Sequence, residues 1–404
     1  MEFRNPPPTF TGRTSAEFVS DGHPDKLCDQ FGDAILDACL EQDPDSRVAV
    51  EAACKGHDVF LLGEITSRAE VDLAACVRRV LEGVGHGDGR WGLDPRKVRV
   101  HRRITQQSPE IAAAVSGGGA LGAGDQGVVW GFACDENPER MPAEWALARA
   151  LLLRLRDLRR TPEGAALGPD AKSLVVLGHN DGHPVSVQEI VISTQHAPGE
   201  PLARVRELLM EEVVRRVVPP EWLHRETHLH LNPGGPFTSG GPVADAGLSG
   251  RKLQVDAYGP HMFHGGGAFS GKDGTKVDRA AAYAARRVAL AMVDTGRYAR
   301  VTISANYAIG SPGPLAGNVS FQEKGPGPTP ACREAYEQVA ARLFAPAAML
   351  RELELTRPIF AQVAAWGHFG RPELDLPWER PIPEFAALAV PEPSDRDLQQ
   401  WAAN

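Results

Sequence analysis

The chain has 404 residues, 42% of them hydrophobic and 24% charged, with a formal net charge of -9 at pH 7. This is ordinary globular composition, long enough for two or three domains or one interwoven unit, and its acidity argues against a nucleic-acid partner. No apolar run approaches the roughly 20 residues of a membrane span, and the opening "MEFRNPPPTFTGRTS" lacks the apolar core of a secretory signal.

Residues 25–42 read as a helix, with Leu27, Phe31, Ile35 and Cys39 on one stripe at i, i+4 spacing. "RVAVEAAC" and "DVFLLGEIT" read as strands, the second ending at Glu64. "AEVDLAACVRRVLEGV" is an amphipathic helix and "KVRVHRRI" a strand. The Gly-rich "QQSPEIAAAVSGGGALGAGDQG" reads as a mobile loop. "VVWGFAC" is a strand and "AEWALARALLLRLRDLRR" a long helix. "AKSLVVLGHNDGHPVSVQEIVISTQH" is a hairpin turning around Asn180 and Gly182, and "LARVRELLMEEVVRRVV" is a helix. "GRKLQVDAY" reads as a strand, residues 277–293 as an Ala-rich helix, and "RVTISANYAIG" as a strand. The Pro-rich tail around 371–393 is expected to wrap the surface. Strands and helices alternate in a layered α+β or α/β pattern, without a clean linker or an internal repeat. The 6 cysteines, Cys28, Cys39, Cys54, Cys76, Cys134 and Cys332, contain no C-x-x-C pair, which predicts reduced, buried thiols in a cytoplasmic protein.

Chemistry concentrates in three places. The first is Gly22-His23-Pro24-Asp25-Lys26. Pro24 suits the first turn of a helix whose free N–H groups favour an anion. His23 and Lys26 add donors, and Asp25 can hold a divalent cation shared with that anion; the bland alternative is an N-capped helix with solvated charges. The second is "HGGGAFSGKDGTKVDRAAAYAARR". Gly266 to Lys272 fits the front of a phosphate loop, but Asp273 stands where such a loop needs Ser or Thr. Lys272 and Lys276 still suit phosphate, and Asp278 at the next helix start suits a metal. The third is "GGPVADAGLSGRKLQVDAYG", where Arg251 and Lys252 lie beside glycines with Asp245 upstream; "GPDAKS" adds Asp170 and Lys172. So many cations suit a triphosphate better than a monophosphate.

With "SDGHPDKLCDQ", "GEIT", "QQSPEI", "GAGDQG", "PDAKS", "STQH", "GGPVADAGLSGRK", "HGGGAFSGKDGTKVDRAAAYAAR", "NYAIG" and "GHFGR" in order from about residue 14 to 379, the sequence resembles the S-adenosylmethionine synthetase (methionine adenosyltransferase) family. The resemblance implies an α+β fold of three similar interleaved subdomains, with flat sheets packed at a homodimer interface. It makes the whole chain, 1–404, one synthetase unit with approximate N-terminal, central and C-terminal regions at 14–115, 125–245 and 246–390. It implies attack of the methionine sulfur on C5′ of ATP, with release of triphosphate that is hydrolysed to pyrophosphate and phosphate. Active sites would be shared within a homodimer or a dimer of dimers.

By the same resemblance, His23, Lys172, Arg251, Lys252 and Lys272 contact phosphates. Asp25 and Asp278 ligand Mg²⁺, two ions per site, and Glu51 matches a K⁺ position. Glu64 meets the methionine ammonium and Gln107 lies near its carboxylate. Asp125, Asp245, Lys276 and Ile309 surround methionine. Asp170 contacts ribose, Phe237 stacks on adenine, and Ala268 lies near ATP. Gln107 opens a stretch resembling the family's gating loop. The chain departs from the family's usual pattern after Glu51, where Ala52, Ala53 and Cys54 replace a Thr-rich turn, which is expected to weaken K⁺ dependence. Pro236 and Leu174 also replace the residues usual there. The Gly- and Ala-rich loop loses more entropy on ordering, which points to altered kinetics or broader acceptance of methionine analogues. Two rival readings are a P-loop kinase, which Asp273 disfavours, and an inactive regulatory subunit, which the retained charges disfavour.

Overall fold

The computed structural model describes residues 2–4, 12–108, 121–180, 182–260 and 262–390. In chain order the strands are β1 (Glu2–Arg4), β2 (Gly12–Val19), β3 (Arg47–Lys55), β4 (Asp58–Thr66), β5 (Arg99–Thr105), β6 (Gly127–Cys134), β7 (Leu167–Asn180), β8 (His183–His196), β9 (His228–Leu231), β10 (Gly247–Leu248), β11 (Tyr298–Tyr307) and β12 (Ala316–Glu323). The longer helices are α1 (Pro24–Gln42), α2 (Leu73–Leu81), α3 (Ala143–Leu158), α4 (Val277–Asp294) and α5 (Pro330–Leu343).

The strands make three four-stranded sheets, ordered β10-β3-β4-β5, β2-β7-β8-β9 and β1-β12-β11-β6. Each sheet carries one long helix: α1 on β3, α3 on β2 and β7, and α4 on β6 and β11. The three units therefore resemble one another, although the sequence shows no repeat. Each sheet draws strands from distant parts of the chain. The antiparallel pairing of β2 with β7 sets Val19 opposite Lys172, and that of β10 with β3 sets Gly247 opposite Cys54. These pairings carry the Gly22–Lys26 turn and the Arg251–Lys252 segment to neighbouring sheet edges.

Helix α1 forms where the sequence stripe predicts it. Pro24 occupies its first turn, His23 caps it, and Leu27, Phe31 and Ile35 are fully buried. A second stripe, Asp25, Asp29, Asp33 and Asp37, is buried as well. Each of its carboxylates is tied to a different segment. Asp29 Oδ1 accepts from Gly250 N–H at 2.9 Å, Asp33 Oδ1 from Gly271 N–H at 2.7 Å, and Asp37 from the N–H groups of Phe360 and Ala361. Helix α4 is buried on nearly all sides, as its Ala-rich composition allows. Its Arg279 pairs with Asp33 at 2.6 Å with both side chains sealed from water. Removing either partner would strand a buried charge at a cost of about 3–5 kcal/mol.

Several expectations change. Residues 250–258 form no strand. Gly250 turns with φ +71° and Leu253–Asp256 make one helical turn, closed by Asp256 N–H to Lys252 O. The tail does not merely wrap the surface. Leu376, Trp378, Ile382 and Phe385 are buried, and Trp378 Nε1–H donates to His368 O at 2.9 Å. The apolar residues spaced among its prolines give that segment a core of its own to fill. Strand β4 runs on past Glu64 to Thr66. The 6 cysteines are all buried free thiols, as expected; Cys28 and Cys54 approach to 3.4 Å between sulfurs. Of the expected gating loop, residues 109–120 lie outside the described residues. No helix among the described residues is long and apolar enough to cross a membrane.

Candidate active site

The Gly22–Asp25 turn is shaped by contact. A Cβ on Gly22 would lie 2.5 Å from Pro169 O, so only glycine fits there. The turn delivers His23 to the N-cap of α1, where its Nδ1 accepts from Asp25 N–H at 3.2 Å. That bond leaves the ring proton on Nε2. Burial holds His23 near pKa 3, helped by Lys252 and Lys172, so the imidazole is neutral at working pH. A neutral ring with Nε2–H is a hydrogen-bond donor and not a base.

Asp25 is the centre of this first group. Its Oδ2 accepts from Lys252 Nζ at 2.7 Å, and Arg251 Nε lies 3.5 Å from Oδ1. Oδ1 itself is buried and accepts no hydrogen bond. A buried carboxylate oxygen left open beside an anion-binding turn fits a divalent cation. Lys172 leans on Glu17 at 3.2 Å with about half its side chain exposed, free to swing to an anion. Asp170, two residues before Lys172, is buried and accepts from Gly241 N–H at 2.8 Å; burial pushes its carboxyl up to about 6. Asp245 closes the turn at Gly241–Ala244, near enough to act electrostatically on His23 and Asp170. Phe237 reaches the same segment with its backbone doubly bonded to His196.

Lys26 corrects the reading of the turn. It is fully buried and donates to Asp29 Oδ2, Asp256 and Ala364 O, so it does not face an anion. Asp25, Lys26 and Asp29 together grip residues 250–256 at Lys252, Asp256 and Gly250. The sequence reading gave Asp25 to a metal and Lys26 to an anion and missed this positioning role, and it did not single out Asp29. The signal was present as aspartates at i, i+4 spacing beside the apolar stripe.

The second group lies on the β3–β4 sheet and at the start of α4. Gly271 has φ +81° and a Cβ there would meet Val50 O at 2.0 Å; this lets the Lys272 segment lie against β3. Lys272 Nζ donates to Asp278 Oδ2 at 2.6 Å in the first turn of α4. Lys276 is the N-cap residue and pairs with Asp273 at 2.5 Å. Asp273, the residue foreign to a phosphate loop, is buried and accepts from Val48 N–H and Thr275 N–H; it is structural. Glu51, Glu64, Ser249, Ala268, Ser270 and Lys272 line one pocket of about 300 Å³. Gln107 donates its backbone N–H to Thr66 Oγ1 just beyond β5, one strand over from Glu64. Gly124, beside Asp125, packs on Thr275, and Gly310, beside Ile309, packs on Gly122. Asp125 and Ile309 are exposed.

Within one chain the two groups adjoin where Gly250, beside Arg251, packs on the Ala268 side chain. Among the described residues no hydrogen bond or ion pair joins them. Gly271 packs on Gly32, which is eight residues along α1 from Pro24, or about 12 Å at 1.5 Å per residue. The residues after Glu51 also sort by face. Ala52 and Cys54 are buried, facing inward, while Ala53 shares the outer face of β3 with Glu51. Lost hydroxyls at 52 and 54 are therefore remote from a cation on Glu51, and only position 53 can bear on it.

Another donor group, Glu136, Glu144 and His179, gathers its ligand atoms within 4.8 Å. Glu136 is already matched, by Arg300 on Oε1 and by Ala143 N–H on Oε2, and burial raises Glu144 to about 7. It offers a cation less uncompensated charge than Asp25 does.

Residues 12–109, 120–237 and 239–380 match, in turn, the N-terminal, central and C-terminal domain models of S-adenosylmethionine synthetase. The chain belongs to the S-adenosylmethionine synthetase family. It is 44% identical over 386 residues to the S-adenosylmethionine synthase of Bifidobacterium adolescentis, covering 90% of this chain and 95% of that one. It is 42% identical over 378 residues to that of Clostridium tetani, covering 90% and 96%. Membership makes it a transferase, a methionine adenosyltransferase of S-adenosylmethionine biosynthesis, with the three-domain architecture of the family.

Proposed function

We propose that the chain joins ATP and L-methionine by attack of the methionine sulfur on C5′ of ATP. The triphosphate leaves whole and is then cleaved to pyrophosphate and phosphate. A thioether carries no proton, so the nucleophile needs no base. The demand falls on the leaving group, which gains negative charge as the C–O bond breaks. The observation that carries this reading is the first group itself: a neutral His23 donor with Lys172 acting on it, and Arg251 and Lys252 paired to Asp25, one of whose buried oxygens accepts no hydrogen bond.

The remaining roles are those that the family resemblance implies. Lys272 adds a phosphate contact; Asp170 holds ribose, and Phe237 and Ala268 lie against the nucleotide. Glu64 takes the methionine ammonium and Gln107 its carboxylate, with Asp125, Asp245, Lys276 and Ile309 around the amino acid. Asp25 and Asp278 would hold Mg²⁺; Asp278 Oδ1, like Asp25 Oδ1, accepts no hydrogen bond among the described residues. Mg²⁺ bound there neutralises polyphosphate charge. Glu51 would hold K⁺, with its carboxylate exposed on the outer sheet face. The Gly- and Ala-rich segment supports broader acceptance of methionine analogues, which turnover of S-ethyl homocysteine against methionine measures. Buried free thiols suit the reducing cytoplasm.

Among the described residues of one chain no ion pair joins the charged side chains of the two groups, which would complete one site if they come from two subunits. The outer face of the β10-β3-β4-β5 sheet supports this. It bares Phe60, Leu62 and Leu248 beside Glu51 and Glu64, a surface suited to a homodimer or a dimer of dimers. Mixing inactive His23→Ala and Lys272→Ala chains tests it. Random heterodimers carry one intact site each, so activity should return to about a quarter of wild type. No recovery after verified subunit exchange places the whole site in one chain.

A further inference from the structure

Behind the Gly22–Asp25 turn, a pocket of about 480 Å³ opens beside the turn that follows α2. Its charged side chains are Arg90, Arg159 and Arg160, and no carboxylate lines it. Gly83 and Gly85 leave backbone bare on one wall, with nothing within 4 Å of where a Cβ would stand. Trp91 is buried in the wall, with the Arg90 guanidinium 4.9 Å over its ring. Two arginines have partners: Arg90 reaches Asp88 at 3.4 Å, and the largely buried Arg159 meets Asp21 at 2.6 Å. The Arg160 side chain makes no hydrogen bond or ion pair among the described residues. Three arginines lining an open volume of this size leave positive potential that solvent and two carboxylates only partly answer.

We propose that this pocket is a second anion site and that it binds a phosphate-bearing ligand. Guanidinium forks match phosphate oxygens two at a time, and three of them suit an anion of more than one charge. The volume admits anything from pyrophosphate to a nucleotide. Arg159 also lies at the back of the catalytic turn, because its partner Asp21 precedes His23 by two residues. The proposal stands apart from the synthetase reading, since no residue of the pocket belongs to either catalytic group.

The test is equilibrium binding of labelled pyrophosphate to the full-length protein in three forms: wild type, Arg160→Glu and Lys252→Ala. The wild type should bind two per chain. Arg160→Glu, an exposed position that the fold does not depend on, should lose one of them, by at least tenfold in affinity, and keep the other within twofold. Lys252→Ala should lose the other. Loss only in Arg160→Glu would support the pocket and count against the synthetase reading. One pyrophosphate per wild-type chain, or full binding by Arg160→Glu, overturns the pocket. Equal displacement by sulfate at matched ionic strength would also overturn it, as generic anion binding. Stronger displacement by AMP than by phosphate assigns the ligand to nucleotides, within the same phosphate chemistry.

Discussion

Lys252 Nζ lies 2.7 Å from Asp25 Oδ2, and this pair fastens the Arg251–Lys252 segment to the first turn of α1. The other Asp25 oxygen is buried and accepts no hydrogen bond, with Arg251 Nε 3.5 Å away. One carboxylate thus positions Lys252, the cation proposed to contact phosphate, and leaves an oxygen that the proposed Mg²⁺ would take. Asp25→Asn preserves the shape and removes the charge. It should raise the Mg²⁺ concentration for half-maximal rate at least tenfold and cut kcat by roughly 10²–10³. Initial rates over a Mg²⁺ series check this; an unchanged Mg²⁺ requirement would place the ion elsewhere.

Lys26 should prove structural and not a phosphate ligand. Lys26→Met leaves Asp29 and Asp256 facing each other in the core, at a cost of about 3–5 kcal/mol in chemical denaturation. Asp256→Asn should cost less, because burial already raises the Asp256 carboxyl to about 7. Loss of activity without loss of stability in Lys26→Met would contradict the buried role.

The pH dependence separates His23 from Asp170. His23 is depressed to about 3, so it stays neutral from pH 5 upward and should contribute no limb there. Asp170, raised to about 6, should give kcat/KM for ATP an acid limb that Asp170→Asn abolishes and His23→Asn retains. The raised carboxyl also bears on folding. The unfolded chain releases this proton near 3.8 and the folded one near 6, so its contribution is full below 3.8 and is lost as pH rises to about 6. At pH 7.5 Asp170→Asn should therefore stabilise the protein by about 1–3 kcal/mol while weakening ATP binding. Melting curves across pH 4–8 check the sign.

Much of this site was legible in short spacings. The turn before α1, the Gly-Lys-Asp segment and the paired Arg251–Lys252 place charges within a few residues of glycines, and local chemistry decides their conformation. What stayed hidden was long-range. β2 and β12 carry few β-branched residues, so neither reads as a strand, yet each is fixed by a partner far away in the chain. The threefold likeness of the sheets is a matter of pairing and leaves no sequence repeat. Residues 253–256 read as a strand because Leu253 and Val255 alternate with polar residues, but grips from Asp25, Lys26 and Asp29 bend them into a turn. Buried aspartates on α1 read as solvated charge until their partners are seen.

The outer face of β3 makes a prediction about K⁺. Ala53→Thr restores a hydroxyl beside Glu51 and should increase activation by K⁺ at least twofold. Ala52→Thr buries its hydroxyl in the core and should lower stability by about 1–3 kcal/mol without changing the K⁺ response. Rates with and without K⁺ at constant ionic strength, beside melting curves, decide between them.

The central claim is adenosyl transfer with departure of an intact triphosphate. The most direct test is a mass-resolved assay of the purified chain with ATP, L-methionine, Mg²⁺ and K⁺. The account predicts S-adenosylmethionine together with equal amounts of pyrophosphate and phosphate, and no ADP. ADP, or ATP bound without any S-adenosylmethionine, would contradict it.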